Sequence, residues 1–169
     1  MYLNDVEDTL NLLMHRAEVE RLHAAYKASK AAPPAPGTFD ASPACQHVRS
    51  ILGDPLYDDP WSVRVGIGLD WVDLGGTSVG VIGLQVLDVP DAHRGKSDTW
   101  AILGVIMGGD KPTSMDGYLM PIFQDLQAAL GDDPRGHMFL RYQGPNDGRP
   151  HAEPRLIPIL ISLFADTPA

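Results

Sequence analysis

Apolar and polar residues alternate from Val63 to Asp70, a period of two that is typical of a half-buried strand. The apolar positions are Val63, Val65, Ile67 and Leu69, and the residues between them are Arg64, Gly66 and Gly68. Two further apolar runs follow, and the glycine, proline and aspartate residues between the runs indicate turns. The pattern therefore predicts three consecutive strands, near residues 63–70, 79–87 and 99–107.

Two longer segments have apolar residues every three or four positions, which is typical of amphipathic helices. The first covers residues 3 to 28, with Asn4 or Asp5 as its candidate N-cap. The second covers residues 117 to 130. A shorter helix is predicted from Ala44 to Leu52, where a glycine follows.

The last apolar run, Leu156 to Phe164, has strand length and predicts a strand buried on both faces. It leads towards an acid, Asp166, as the first strand leads into Asp70. A shorter run, His137 to Gln143, predicts an extra strand. The order strand, strand, strand, helix, strand predicts the α/β class, with the four main strands in one mixed sheet and the helix near 117–130 on one face.

The 169 residues suffice for a domain with a core, and composition divides them into three parts. Residues 1–30 contain the N-terminal helix. Residues 31–53 begin with a Pro/Ala-rich linker, which cannot continue a helix, and end in the short helix. Residues 54–169 carry the strands, so we expect the linker to separate the N-terminal helix from the body.

The chain is acidic, because 13 Lys and Arg residues against 22 Asp and Glu residues give a net charge of −9. Nonspecific nucleic-acid affinity comes mainly from basic side chains, so we expect this chain by itself to bind DNA weakly. The single cysteine, Cys45, excludes an internal disulfide framework and a cysteine-rich zinc site. The apolar runs are too short to span a bilayer and the N-terminus is acidic, so we expect a nuclear or cytoplasmic protein that is neither secreted nor membrane-bound.

Asp70 has two interpretations from its position alone. Turn or cap aspartate is the commoner role, and a metal-binding acid at the edge of a sheet is the alternative. Asp73 is better explained as a turn residue, and His15 and His23 as solvated residues of the N-terminal helix. The second acid at a strand end, Asp166, favours the metal interpretation.

Acids that close the first and fourth strands of this series are the arrangement of a ribonuclease-H-like nuclease core, where these two strands lie side by side. The segment from Leu69 to Leu130 moreover resembles the catalytic region of CACTA (En/Spm-type) transposases, especially the fungal branch. The family's strand ending in Asp-Gly/Trp-Phe-Asn-Pro-Phe-Gly is matched by Asp70 to Gly76, and its Ser-x-Gly-Val/Ile strand by Ser78 to Ile82.

Four further motifs follow in the family's order. Asp88 to Pro90 with Arg94 to Lys96 match the family's Asn-Leu-Pro turn and its Arg-x-Lys, and Gly108 to Pro112 match the strand end Gly-Pro-Lys-x-Pro. Tyr118 to Leu126 match the helix Tyr/Phe-Leu-x-Pro-Leu-x-x-Glu-Leu, and Asp166 to Ala169 match the strand end Asp-x-Pro-Ala. Leu74 and Gly75 depart from the first motif, and the proline of Gly-Pro-Lys is absent. The family's third acid lies beyond the position of Asp166, so we expect residues 54–169 to be a truncated ribonuclease-H-like domain or a decayed copy.

The resemblance implies metal-dependent DNA cleavage and strand transfer, with Mg²⁺ or Mn²⁺ held by Asp70 and Asp166. It makes Arg94, Lys96 and Lys111 candidates for phosphate contact, although solvated loop charge is the commoner role of such residues. DNA is the partner in the intact family. Without the third acid, we expect this chain to bind metal weakly and to be inactive as it stands.

The alternative function is a non-catalytic α/β interaction domain that binds a protein partner through its N-terminal helix. A truncated core would also leave part of the sheet uncovered, so we expect an exposed apolar patch larger than is usual for a monomer. Such a patch would favour a protein partner or self-association.

Overall fold

The computed structural model describes residues 2–29, 34–108, 112–130 and 156–165. The described strands are β1 (Tyr2–Leu3), β2 (Ser62–Asp73), β3 (Ser78–Val86), β4 (Trp100–Met107) and β5 (Ile157–Ala165), and the described helices are α1 (Val6–Met14), α2 (Ala17–Ser29), α3 (Pro43–Leu52), α4 (Asp54–Tyr57) and α5 (Asp116–Leu130). Short 3-10 turns lie at Phe39–Ala41 and Ser97–Thr99. None of the helices in these ranges is long and apolar enough to cross a bilayer.

The five strands form one sheet in the order β1-β4-β3-β2-β5. The pairs β2–β3, β3–β4 and β1–β4 are antiparallel, whereas β5 runs parallel to β2. The prediction of an α/β chain whose four main strands share one mixed sheet is therefore confirmed. β1 was not predicted, because two residues are too few to show a period.

The predicted end of the first strand is wrong. β2 continues past Asp70 to Asp73, which is paired with Ser78 across a hairpin. The turn residues are Gly75 and Gly76, whose φ angles of 64° and 91° lie in the left-handed region that glycine tolerates. Asp70 therefore lies inside a strand, and the turn begins three residues later than the sequence suggested.

The prediction of one helix over residues 3–28 is also wrong, because α1 and α2 are separated at His15 and Arg16. Asp5 caps α1 as expected, and its carboxylate accepts a backbone N–H of the first turn at 3.1 Å. At the break, the Arg16 guanidinium donates hydrogen bonds to the carbonyl oxygens of Asp98 and Trp100, at 2.8 and 2.9 Å. These bonds join residues distant in sequence, so helical periodicity does not encode the break.

The outer edge of β4 is covered by the start of the chain. β1 pairs with Val105 and Gly104, and the backbone N–H of Asn4 donates to the Leu103 carbonyl at 2.8 Å. The Asn4 side chain donates to the Ile102 carbonyl at 3.0 Å. Backbone groups that could otherwise pair with another chain are thereby satisfied along this edge.

One face of the sheet is covered by α1, α2 and α5, which share a single core with the strands. Its helical members include Val6, Leu10, Leu13, Val19, Leu22, Leu119, Ile122 and Leu126, and its strand members include Val63, Val65, Ile67, Leu69, Ile82, Leu84 and Val86. The predicted helix near 117–130 is α5, and it packs on the sheet as expected. The alternation seen in the first strand sends its apolar residues to this face.

The other face is covered only in part by described residues. Near the start of β2, α3 and α4 pack on it through Cys45, Leu56 and Tyr57, which contact Ile157 and Ile159 of β5. Cys45 is a buried free thiol there. Nearer the β2–β3 hairpin, several described apolar residues of this face are exposed: Val72 is 41%, Ile102 56%, Met107 74% and Phe164 44% exposed. The expected size of an apolar patch stays a prediction.

The prediction that the last strand is buried on both faces holds only for its first half. Ile157 and Ile159 are buried, whereas Leu163 and Phe164 are about half exposed. Among the described strands β5 lies at the edge of the sheet, and its second half passes the part of the face that the described helices do not cover. The predicted strand at residues 137–143 lies outside the described residues.

We expect the two faces of the sheet to respond differently to truncation of isoleucine. Ile67→Ala should lower the free energy of unfolding by about 2–5 kcal/mol, because Ile67 is fully buried. The same substitution at exposed Ile102 should change it by only about 0.5 kcal/mol. Urea unfolding of both variants measures the difference, and equal losses would contradict this assignment of the covered face.

Candidate functional site

Asp70 lies at an exposed position of β2, on the uncovered face of the sheet. Its Oδ1 accepts a hydrogen bond from the backbone N–H of Trp71 at 2.7 Å. Its Oδ2 makes no hydrogen bond to any residue that the structure describes. A carboxylate oxygen is a hard ligand of the type that Mg²⁺ prefers, so Asp70 could supply one ligand to the metal that the family resemblance implies, which stays a prediction.

The strand that leads to Asp166 lies directly beside β2. In this parallel pair, Leu69 is opposite Ala165, which is the last described residue. Asp70 and Asp166 are the next residues of the chain after these two. Asp166 itself lies outside the described residues, so the structure tests the placement of the strands and leaves the meeting of the two acids as a prediction.

Metal-binding clusters are not found in the described ranges. No group of three or more His, Cys, Asp or Glu side chains within them is placed to hold a metal ion. Asp73, the weaker acidic candidate, accepts a hydrogen bond from the backbone N–H of Gly76 at 2.9 Å. This is the turn role expected for Asp73 from the sequence.

The basic candidates fall into different surroundings. The Arg94 guanidinium donates to the carbonyl oxygens of Leu87 and Val89, at 3.1 and 2.9 Å, and forms an ion pair with Asp91 at 2.5 Å. It therefore holds the turn after β3 together. Lys96 is exposed, and Lys111 lies outside the described residues.

A groove of about 700 Å³ runs over the uncovered face beside Asp70, and we call it the open groove. It is lined by Gly68, Leu69, Asp70, Val72, Val81, Gly83, Trp100, Ala101, Ile102 and Phe164. The four neighbouring strands β2, β3, β4 and β5 contribute to this groove, so the sheet fixes the relative positions of its walls. The lining is apolar apart from the carboxylate of Asp70 and the indole N–H of Trp100.

The floor of the open groove depends on two paired glycines, Gly68 and Gly83. A Cβ atom at Gly68 would lie 2.7 Å from the Trp100 ring, and one at Gly83 would lie 2.9 Å from it. Real Cβ atoms do not approach other heavy atoms so closely, so glycine allows the indole to lie against the strands.

The Trp100 ring is held by a hydrogen bond at its Nε1 as well as by packing on the two glycines. With the Gln85 amide oriented to satisfy both donors, its oxygen accepts from Trp100 Nε1 at 3.1 Å and from the Gly95 N–H at 2.7 Å. The Phe164 ring lies beside it, with centroids 6.3 Å apart and an interplanar angle of 53°. Two aromatic rings and one carboxylate thus share the open groove.

A second group of polar residues lies on the same face of the sheet, near the start of β2, and its centre is fully buried. Arg64 Nε donates to Asp88 Oδ1, and the Arg64 backbone N–H donates to Asp88 Oδ2 at 3.1 Å. Both side chains are 0% exposed. Burial is the largest single effect on the pKa of the Arg64 guanidinium and by itself would lower it. The combined interactions with Asp88, Tyr57, Tyr26 and Asp40 outweigh burial, so the pKa is raised.

Two residues of α2 extend this buried cluster. Lys27 Nζ lies 3.4 Å from Asp88 Oδ2 and donates to Ser62 Oγ at 2.7 Å. His23 Nε2 lies 3.9 Å from the same Asp88 oxygen. The expectation that His23 is solvated is wrong, because the residue is only 9% exposed and this burial lowers its pKa. His15, by contrast, is exposed as expected.

The segment expected to be a linker is attached to the same cluster. Asp40 accepts hydrogen bonds from Arg64 Nη1 and from the Tyr26 hydroxyl. The ring of Phe39 lies against Arg94, whose Cζ is 4.2 Å from the ring centroid. Residues 34–43 are therefore held against the body, and every acid of the cluster has a basic partner, which indicates a structural role.

Sequence reasoning missed this cluster, although two local signals were present. Arg64 stands between Val63 and Val65 in an alternating strand, and Asp88 stands between Leu87 and Val89. A charged residue flanked by buried apolar neighbours needs a partner if its own face is covered. The partner's identity depends on strand pairing, which the local pattern does not show.

Comparison of this chain with protein-family models, with curated proteins and with solved structures finds no significant match.

We expect the buried pair to be far more important for stability than an exposed pair. Arg64→Met should lower the free energy of unfolding by about 3–5 kcal/mol, because it leaves the buried Asp88 carboxylate without its closest partner. The matched control is Arg21→Met, which removes an exposed ion pair with Glu18 and should leave stability nearly unchanged. Similar losses in both variants, measured by urea unfolding, would contradict the buried role.

His23 predicts a pH dependence of stability. Its folded pKa lies below the ordinary value of 6.5, so the unfolded chain binds more protons between the two values. The free energy of unfolding should therefore be highest above pH 6.5 and fall as the pH is lowered. His23→Gln should flatten this slope, whereas His47→Gln at an exposed position should keep it. Thermal unfolding from pH 7.5 to 5 distinguishes the two.

Proposed function

We propose that this chain is part of a ribonuclease-H-like catalytic domain of the DNA transposase type, in which Asp70 and Asp166 form a metal-binding pair. One observation carries the proposal, the parallel pairing of β2 with β5 that sets Leu69 opposite Ala165. Residues at matching positions of neighbouring strands lie about 4.8 Å apart. The two acids that follow these residues would therefore emerge side by side.

The strand order gives further support. Three consecutive antiparallel strands are followed by α5 and by a strand that pairs with the first of the three on its free side. This is the order that a ribonuclease-H-like core requires of its first four strands. The transposase-like motifs also coincide with structural landmarks, since Asp70 to Gly76 covers the end of β2 and the hairpin turn, and Tyr118 to Leu126 lies within α5.

The chemistry of the site follows from the properties of its acids. A bound Mg²⁺ or Mn²⁺ would stabilise negative charge on a phosphate that undergoes in-line attack. Asp70 offers it a hard oxygen ligand on an open face, and Asp166 is proposed as the second. Two acids leave most of an octahedral shell to water, so we expect weak metal binding.

Weak DNA binding is part of this proposal, because the net charge of −9 repels phosphate. Little or no strand cleavage is expected from this chain alone, and a DNA-binding surface would have to be supplied elsewhere or by a partner. A transposase-type function would place the protein in the nucleus.

The alternative, a partner-binding domain that uses its N-terminal helix, has less support. Val6, Leu10 and Leu13 of α1 are fully buried against the sheet and α5. Leu12 remains exposed at 63%, but it is a single side chain. The apolar stripe that suggested a partner is used within the chain.

Manganese binding tests the proposed pair directly. Calorimetric titration of the unmodified chain with Mn²⁺ should show weak binding, and Asp70→Ala or Asp166→Ala should each abolish it. Removal of either acid leaves one carboxylate, which is too few for a stable site. Magnesium should compete with manganese for the same site.

The matched control is Asp73→Asn, which removes an acid from the same strand while its turn can be checked by thermal unfolding. It should leave manganese binding unchanged. Equal binding in the unmodified chain and in all three variants would remove Asp70 and Asp166 as a metal pair.

A further inference from the structure

The open groove combines an aromatic surface with a single charge. Among the described residues that line it, Asp70 carries the one ionisable side chain, and it is a carboxylate. Val72 and Ile102 add exposed apolar surface on either side of the groove, at 41% and 56% exposure. A ligand that matches this lining is apolar along most of its length and carries a positive charge at one point.

Register places the charge beside the larger aromatic ring. Gly68 and Asp70 are two residues apart on the same face of β2, which separates them by about 7 Å. The Trp100 ring lies over Gly68, where a Cβ atom would come within 2.7 Å of it. One side of the indole is therefore against the strands, and the residue remains half-buried with its other side towards the groove.

We propose that the open groove binds an extended basic and apolar segment of a partner protein, with an arginine side chain placed between the Asp70 carboxylate and the face of Trp100. Arginine fits both partners, because its planar guanidinium pairs with carboxylates and stacks on aromatic rings. The apolar neighbours of that arginine would cover Val72 and Ile102. The groove of about 700 Å³ has room for such side chains.

Charge favours this occupant over the other candidates. A chain of net charge −9 attracts basic segments and repels nucleic acid. A second copy placed face to face would bring two Asp70 carboxylates and two acidic chains together. The inference does not rest on the proposed metal pair, but both use Asp70, so metal and the basic segment should compete.

The probe is a synthetic acetylated and amidated peptide of alternating valine and arginine, compared with the same peptide carrying citrulline, the neutral isostere of arginine. Calorimetric titration should show the arginine peptide binding about tenfold more tightly, because hydrogen bonds to charged groups are the stronger ones. Asp70→Asn should abolish that difference. Trp100→Leu should weaken binding about two- to fivefold, through loss of the cation–π contact.

Two variants separate this proposal from the metal pair. Asp166→Asn should abolish manganese binding and keep peptide binding, whereas Trp100→Leu should weaken peptide binding and keep manganese binding. Asp73→Asn is the control for loss of a nearby charge and should bind the peptide normally. Thermal unfolding of each variant shows whether its fold is intact.

Several results would overturn the inference. Equal affinity for the arginine and citrulline peptides, or no measurable binding of either, would remove the arginine site. A concentration-dependent dimer that Ile102→Glu disrupts would assign the face to a second copy of the chain. Tighter binding of a fluorescent DNA duplex than of the peptide would assign the groove to nucleic acid.

Discussion

The buried ion pair between Arg64 and Asp88 is the constraint on which the rest of the structure depends. Both side chains are shielded from water, so neither can lose its partner without leaving an uncompensated charge. Helix α2, the segment 34–43, α4 and the end of β3 all contribute groups to the pair's surroundings. A charge at one position of β2 is therefore in contact with, or close to, groups from four other parts of the chain.

The face of the sheet opposite the main core has two different roles along its length. Near the start of β2, the face carries the ion cluster and the small apolar core of α3 and α4. Towards the hairpin, the same strands present glycines, an indole and Asp70. The rigidity needed for a binding surface comes from the first region, because ordered strands continue directly into the second. The proposed metal pair and the proposed arginine site both depend on this open end.

Local patterns predicted the parts of the fold that local physics determines. The alternation in β2 and the stripe of α5 were visible because one face of each meets the core. The break at Arg16 and the burial of His23 were not, since both result from contacts with distant residues. For the candidate site, the sequence predicted Asp70 and the adjacent strands, but not the glycine floor under Trp100. A glycine's role there appears only when strand register places a ring above it.

The pairing of β2 with β5 has a consequence for how the chain folds. It joins residues roughly a hundred positions apart, such as Leu69 and Ala165, whereas β2, β3 and β4 pair with their neighbours in sequence. Closing so long a loop is entropically costly before any contact rewards it, so the hairpins should form early and β5 should dock late. Until it does, one side of β2 remains an unpaired edge. A nascent chain is thus most exposed to misassociation along the strand that carries both Arg64 and Asp70.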